Sequence, residues 1–129
     1  MWTYPQADPA GMPSLVLAYV GDAVYELYVR IFLINKGTGR VKKLHEKASF
    51  LVNAAKQADF LHRLEGILTE EEKSVAKRGR NAKGNGVPRN ASVVDYRLST
   101  GFEALIGYLF LLRREERIKE LLEYLLGEY

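Results

Sequence analysis

The stretch "SLVLAYVGDAVYELYVRIFLIN", Ser14 to Asn35, decides how the rest of the chain is read. Its apolar residues recur at helical spacing, with Leu15, Tyr19, Ala23, Leu27 and Ile31 on one stripe and Val16, Val20 and Val24 beside it. Pro13 stands in front, Ser14 offers an N-cap, and "NKGTG" at 35–39 supplies the glycines that end a helix and open a turn. A helix over 14–35 is therefore expected. One residue sits oddly in it: Asp22, directly after Gly21, in a segment that otherwise reads as buried.

Working outward, "RVKKLHEKASFLVNAAKQADFLHRLEGIL" from Arg40 places Leu44, Ala48, Leu51, Ala55 and Ala58 on a common face, with Thr38 as an upstream cap. This predicts one long helix, interrupted near Gly66. "TEEEKSVAKRGR" then offers Thr69 as N-cap with Glu72 three residues on, a capping-box pattern, and its acidic run reads as a capped and solvated helix start. From Arg78 to Asn90, "RGRNAKGNGVPRN" has three glycines, a proline and hardly any apolar content, so a loop is expected. Helix resumes near Ser92 or Ser99 through "GFEALIGYLFLL", and the amphipathic "RIKELLEYLL" follows. No run alternates as a half-buried strand does, so the fold class is all-α, a helical bundle.

Composition bounds the function classes. With 129 residues, 47% of them hydrophobic and 27% charged, one globular domain over 1–129 is expected. No uncharged apolar run reaches the roughly 18 residues of a spanning helix, and the N-terminal residues lack the pattern of a secretory signal, so a cytoplasmic protein with no membrane partner is expected. The chain has no cysteine, which excludes disulfides, thiolate metal sites and a cysteine nucleophile. A net charge of +3 is a weak argument for a polyanionic partner, but its distribution is not even. Between Ala76 and Arg97 lie six basic residues and one acid, a local excess larger than that of the whole chain.

Three carboxylates attract attention. Asp22 and Glu26 stand four residues apart, hence on one helix face, and Glu103 sits inside "TGFEALIGYLF" among apolar residues. A buried carboxylate must be paired, hydrogen-bonded or bound to a cation. Spacing leaves two readings open. Each acid lies at the edge of its stripe facing water, or the first helix packs against the late one and Asp22, Glu103 and Glu26 converge on a cation.

These residues also carry a resemblance. "LAYVGDAVYELYV", followed some eighty residues later by "TGFEALIGYLFL", is similar to the two signature segments of the ribonuclease III catalytic domain, L-E-F-L-G-D-A-V and D-x-F-E-A-L-I-G-A-x-Y. The likeness runs from Ser14 to Leu126. Because the second segment lies near the end of these 129 residues, the double-stranded-RNA-binding domain that usually follows is not expected. The shortness and the basic, glycine-rich insert resemble the compact bacterial branch, Mini-ribonuclease III. The resemblance implies that Asp22 and Glu103 are catalytic ligands of Mg²⁺, that the reaction is endonucleolytic cleavage of double-stranded RNA to 5′-phosphate and 3′-hydroxyl ends, that the enzyme is a homodimer, and that its task is maturing the 23S ribosomal RNA precursor, with room for a ribosomal protein that presents the substrate. Two acids of the family pattern are absent, replaced here by Ala18 and Thr100. Glu26 and Asp95 are the nearest substitutes.

Carboxylate-held Mg²⁺ chemistry needs neither histidine nor serine. His45 and His62, both on the second predicted helix, accordingly read as solvated or packed. For holding the duplex, the basic segment offers Lys77, Arg78, Arg80, Lys83 and Arg89, interleaved with Asn81, Asn85 and Asn90, suited to phosphate and 2′-hydroxyl contacts. Lys42, Lys43 and Lys47 would extend that footprint or form a solvated face. Tyr19, Val20, Tyr25, Tyr28 and Phe32 are candidates for an apolar dimer face or for core. Two alternatives stand beside the nuclease: a related fold that has lost its chemistry and binds RNA or ribosomes, and a helical DNA-binding or protein-interaction domain, for which no recognition helix is evident.

Overall fold

A computed structural model describes residues 2–37, 39–84, 86–87, 89 and 92–129. The expected caps and polar contacts at Thr38, Asn85 and Asn90 lie outside the described residues. After a short 3₁₀ turn at Pro9–Gly11 come six helices: α1 Ser14–Asn35, α2 Val41–Val52, α3 Ala54–Leu64, α4 Glu70–Asn81, α5 Val93–Leu111 and α6 Glu115–Leu126. No strand occurs among the described residues. The all-α expectation holds.

α5 is the axis of the molecule: from Leu98 to Leu109 every residue except Glu103 is buried. α1 and α4 reach this helix through glycines. A Cβ on Gly21 would stand 1.7 Å from the Glu103 carbonyl oxygen, and one on Gly107 would stand 1.9 Å from that of Leu17. On the α4 side, a Cβ on Gly101 would lie 2.6 Å from the Ala76 carbonyl oxygen. Such approaches are open only to residues without a side chain. Phe102 meets Tyr25 edge to face at 5.0 Å, and α6 closes the core with Ile118, Leu121, Leu122, Leu125 and Leu126.

α1 spans the expected residues but buries a different face. The stripe expected to be apolar and inward, Leu15, Tyr19, Ala23, Leu27 and Ile31, is exposed; the buried face is Leu17, Ala18, Gly21, Val24, Tyr25, Val29 and Leu33. Apolar residues surround this helix, so the neighbour decides, and Gly21 admits α5 most closely. Ser14 is the first helical residue rather than the cap. Pro13 takes the cap position, without a side-chain hydrogen bond.

The long second helix is two helices. Asn53, with ψ 161°, breaks it well before Gly66 and caps α3 by accepting from the Lys56 amide. Asn53 Nδ2 donates to the carbonyls of Ser49 and Phe50, Tyr25 Oη to that of Leu51 at 2.7 Å, and Gln57 Nε2 to that of Val52 at 3.0 Å. The last four carbonyls of α2 are thus all satisfied, which is what allows a helix end to be partly buried. Ala55, on the expected stripe, is exposed as a result of the break.

The capping box at Thr69 and Glu72 is present. Its acids are not all solvated, however. Glu72 is buried and takes two hydrogen bonds from Arg117, while Glu71 accepts from Tyr108 and Arg114. The Tyr108 hydroxyl, then Arg114, hold the Glu71 carboxyl below the ordinary carboxylate range; at Glu72 burial pushes the other way and is outweighed by Arg117 and the Thr69 amide. α4 also runs further than expected, so Arg78 and Arg80 are helical and the loop starts at Ala82.

Candidate active site

The closest crossing of α1 and α5 places Asp22 beside Glu103. Gly21 rests on the Glu103 backbone, so the side chain one residue on meets that of Glu103, and the two carboxyls interact directly. Both line one open hollow of about 700 Å³ between α1, the end of α4 and α5. Asp22 is exposed and Glu103 half-buried. Loss of solvent, then the facing Asp22 carboxyl and the charge of Glu26, push the Glu103 pKa up to about 8; a hydrogen bond from Gln57 opposes them. A half-buried acid held against a second acid marks a place where a cation would replace a proton.

Ala18 and Thr100 line the same hollow. Neither supplies a carboxylate: Ala18 presents a methyl group, and the Thr100 hydroxyl donates back to the Tyr96 carbonyl at 3.0 Å. Among the described residues no cluster of three or more His, Cys, Asp or Glu side chains gathers at ion-binding spacing. Glu26 acts on Glu103 through its charge but does not line the hollow, and neither does Asp95 in the first turn of α5. Two carboxylates with an open face fit Mg²⁺, which is commonly held by one or two carboxylates while water and phosphate oxygens complete its shell.

The basic residues divide. Lys83 lines the hollow, whereas Arg80 and Lys77 line a separate groove against α3. Arg78 reaches back to the Ala10 carbonyl at 3.4 Å, and Arg80 to the Asn81 side chain. Arg89 is exposed in the segment after α4. The structure adds Arg97, which lines the hollow two turns before Glu103 on α5. Lys83 and Arg97 form no hydrogen bond or ion pair among the described residues, so both are free to meet an anion. The i, i+3, i+6 series Arg97, Thr100, Glu103 was the available signal in the sequence. Gln57, fully buried on α3, was also missed, and no pattern in the sequence distinguishes it from a solvated glutamine. His62 pairs with Glu65 on the surface and stays clear of the hollow, as does the exposed His45.

Of the aromatic face on α1, Tyr25 is fully buried and belongs to the core. Tyr28, Phe32 and Val20 are half-buried. Tyr19, at 82% exposure, lies instead on an outer apolar stripe with Leu27, Ile31 and Ile34, extended by Val41 at 80%. No helix is long and apolar enough to cross a membrane among the described residues.

Comparison with known proteins agrees with this fold. Residues 15–114 match the ribonuclease III domain. A Mini-ribonuclease 3 of Symbiobacterium thermophilum is 50% identical over 91% of this chain and 90% of its own, and one of Clostridium tetani is 45% identical over 98% and 84%. The crystal structure of a Fusobacterium nucleatum protein superposes with a TM-score of 0.84 at 33% identity, covering 96% of this chain and all of that one. With the motif residues Asp22 and Glu103 brought together on the matching fold, the chain belongs to the ribonuclease III family, in its Mini-ribonuclease 3 branch.

Proposed function

We propose that this endoribonuclease cuts double-stranded RNA as a Mg²⁺-dependent cytoplasmic homodimer, one strand at each of two sites, and that its substrate is the 23S ribosomal RNA precursor, which a ribosomal protein presents. The observation that carries the reading is the direct facing of Asp22 and Glu103 in a hollow that also holds two uncommitted cations, Lys83 and Arg97. Asp22 and Glu103 would hold the ion, which when bound neutralises charge on the phosphoryl oxygens and acidifies the attacking water. Hydrolysis joins water oxygen to phosphorus, breaks the P–O3′ bond, and leaves a 5′-phosphate and a 3′-hydroxyl.

The chain's own residues draw the backbone in and fix its place. Arg97 offers a planar fork suited to a phosphate, and Lys83, which lines the same hollow, a point charge on a flexible stem. Lys77, Arg78, Arg80 and Arg89 extend the positive surface beyond the hollow toward neighbouring phosphates, supporting recognition by backbone shape rather than by base sequence. Pairing two copies supplies the second site that a duplex cut requires. The outer stripe of α1, with Tyr19, Leu27 and Ile34, extended by Val41 at the start of α2, is the apolar surface that supports such pairing.

Purified protein incubated with a duplex RNA and with each separated strand tests the reading. Cleavage of the duplex alone, stopped by EDTA and restored by Mg²⁺, is expected. A folded protein that leaves the duplex intact would favour the binding-only alternative, and equal cutting of duplex DNA would remove the RNA assignment.

A further inference from the structure

Gln57 helps to close the end of α2, but at a cost that this role alone does not explain. It is 2% exposed on α3, and its Oε1 has no hydrogen-bond partner among the described residues. A buried carbonyl oxygen left unpaired destabilises the fold and offsets what the bond to the Val52 carbonyl contributes. Its nitrogen, by contrast, is engaged: Nε2 donates to the Val52 carbonyl at 3.0 Å, and the same amide is near enough to Glu103 to favour its carboxylate, opposite in effect to Asp22. Both groups facing that nitrogen are acceptors, so turning the amide over would set oxygen against oxygen. The orientation is determined, and the orphaned oxygen is its consequence.

We propose that Gln57 is a positioning residue: its amide, anchored on the Val52 carbonyl where α2 ends, holds the Glu103 carboxylate in the orientation that, together with Asp22, takes up a divalent cation. This role rests on the metal-dependent reading of the site. It explains why the break at Asn53 matters to function. That break frees the Val52 carbonyl, and only a free carbonyl can fix one hydrogen of the Gln57 amide so that the other is left for Glu103. A buried polar atom left unpaired, where the other buried polar side chains have partners, is the pattern expected where function overrides packing.

Gln57→Met tests this, because it keeps length and apolar fit but cannot donate. Mn²⁺ binding followed by electron paramagnetic resonance, thermal melting without metal, and the Mg²⁺ concentration for half-maximal cleavage of duplex RNA are read on wild type and variant. The Oε1 cost is relieved while the bond to the Val52 carbonyl is lost, so a folded variant with only a modest change in Tm is expected, with Mn²⁺ affinity lowered tenfold or more and the Mg²⁺ requirement raised in proportion. Duplex affinity without metal should not change. Mn²⁺ affinity and Mg²⁺ requirement within twofold of wild type would overturn the proposal. If the methionine variant does not fold, Gln57→Asn, which withdraws the amide by one methylene, is read by the same two metal measurements against the same thresholds. A wild type that binds no Mn²⁺ overturns this proposal and the metal-dependent reading together; a wild type that binds and cuts, beside a variant that does so equally, overturns this proposal alone.

Discussion

As an anion Glu103 carries a cost that a proton or a cation removes. Burial and the facing Asp22 favour its neutral form in the folded chain, with a pKa of about 8 instead of the ordinary 4.5. The folded state therefore keeps a proton that the unfolded chain has lost, and stability falls as pH rises between those values, by about 1.4 kcal/mol for each pH unit. Below the ordinary value and above about 8 both states carry the same charge and the slope vanishes. Urea unfolding without metal at pH 5.5 and pH 8 should show this loss in wild type and not in Glu103→Gln, which should be the more stable of the two at pH 8. Equal slopes would contradict the assignment. A cation entering the site displaces that proton, so below pH 8 the Mg²⁺ requirement should fall about tenfold per unit of rising pH.

At the scale of elements, the α1–α5 crossing is what makes two carboxylates, 81 positions apart in the sequence, into a site. Gly21→Ala puts a methyl group 1.7 Å from a backbone oxygen that has no room to move, beyond the ordinary overpacking cost of about 1–3 kcal/mol. The expected outcome is a Tm lowered by about 10 °C or more, with metal affinity lost even where the fold survives, because α1 must retreat and carry Asp22 away. Differential scanning calorimetry with Mn²⁺ titration checks both.

This crossing also shows what the sequence reveals and what it hides. The extent of α1, the Thr69 capping box and the Ser92 start of α5 are local patterns, and each is where its residues suggest. Which face of α1 is buried is not local: apolar residues occupy nearly every side, and only the glycine contacts with α5 select Leu17, Val24 and Leu33 over Leu15, Tyr19 and Leu27. Asn53 was a legible cap, obscured by an apolar stripe that continues across it. Asp22 and Glu103 stood out as charges among apolar residues, whereas Arg97 and Gln57 are ordinary helical residues until the packing of α1 and α3 on α5 gives them a neighbour.

For the whole molecule, the face that α1 turns outward is too apolar for water alone. Leu27, Ile31 and Ile34 on α1, with Tyr19 at the edge of the hollow and Val41 opening α2, are all exposed, and a symmetric partner laid along α1 would bury such residues twice. Leu27→Asp should shift sedimentation from dimer to monomer and lower duplex cleavage, while leaving the helical circular dichroism unchanged. A variant that stays dimeric would move the interface elsewhere.

If Asp22 and Glu103 together make a metal-dependent cutter of duplex RNA, removing the charge of one of them must stop the chemistry and spare the binding. Asp22→Asn keeps size and shape and removes one ligand charge. Cleavage of a ribosomal RNA precursor stem by wild type and variant, mapped at nucleotide resolution with duplex binding measured alongside, therefore reads the pair directly. Wild type should make staggered cuts in Mg²⁺, whereas Asp22→Asn should lose cutting by at least about a thousandfold and keep duplex binding nearly intact. An Asp22→Asn enzyme that cuts the same bonds at comparable rate would contradict this assignment.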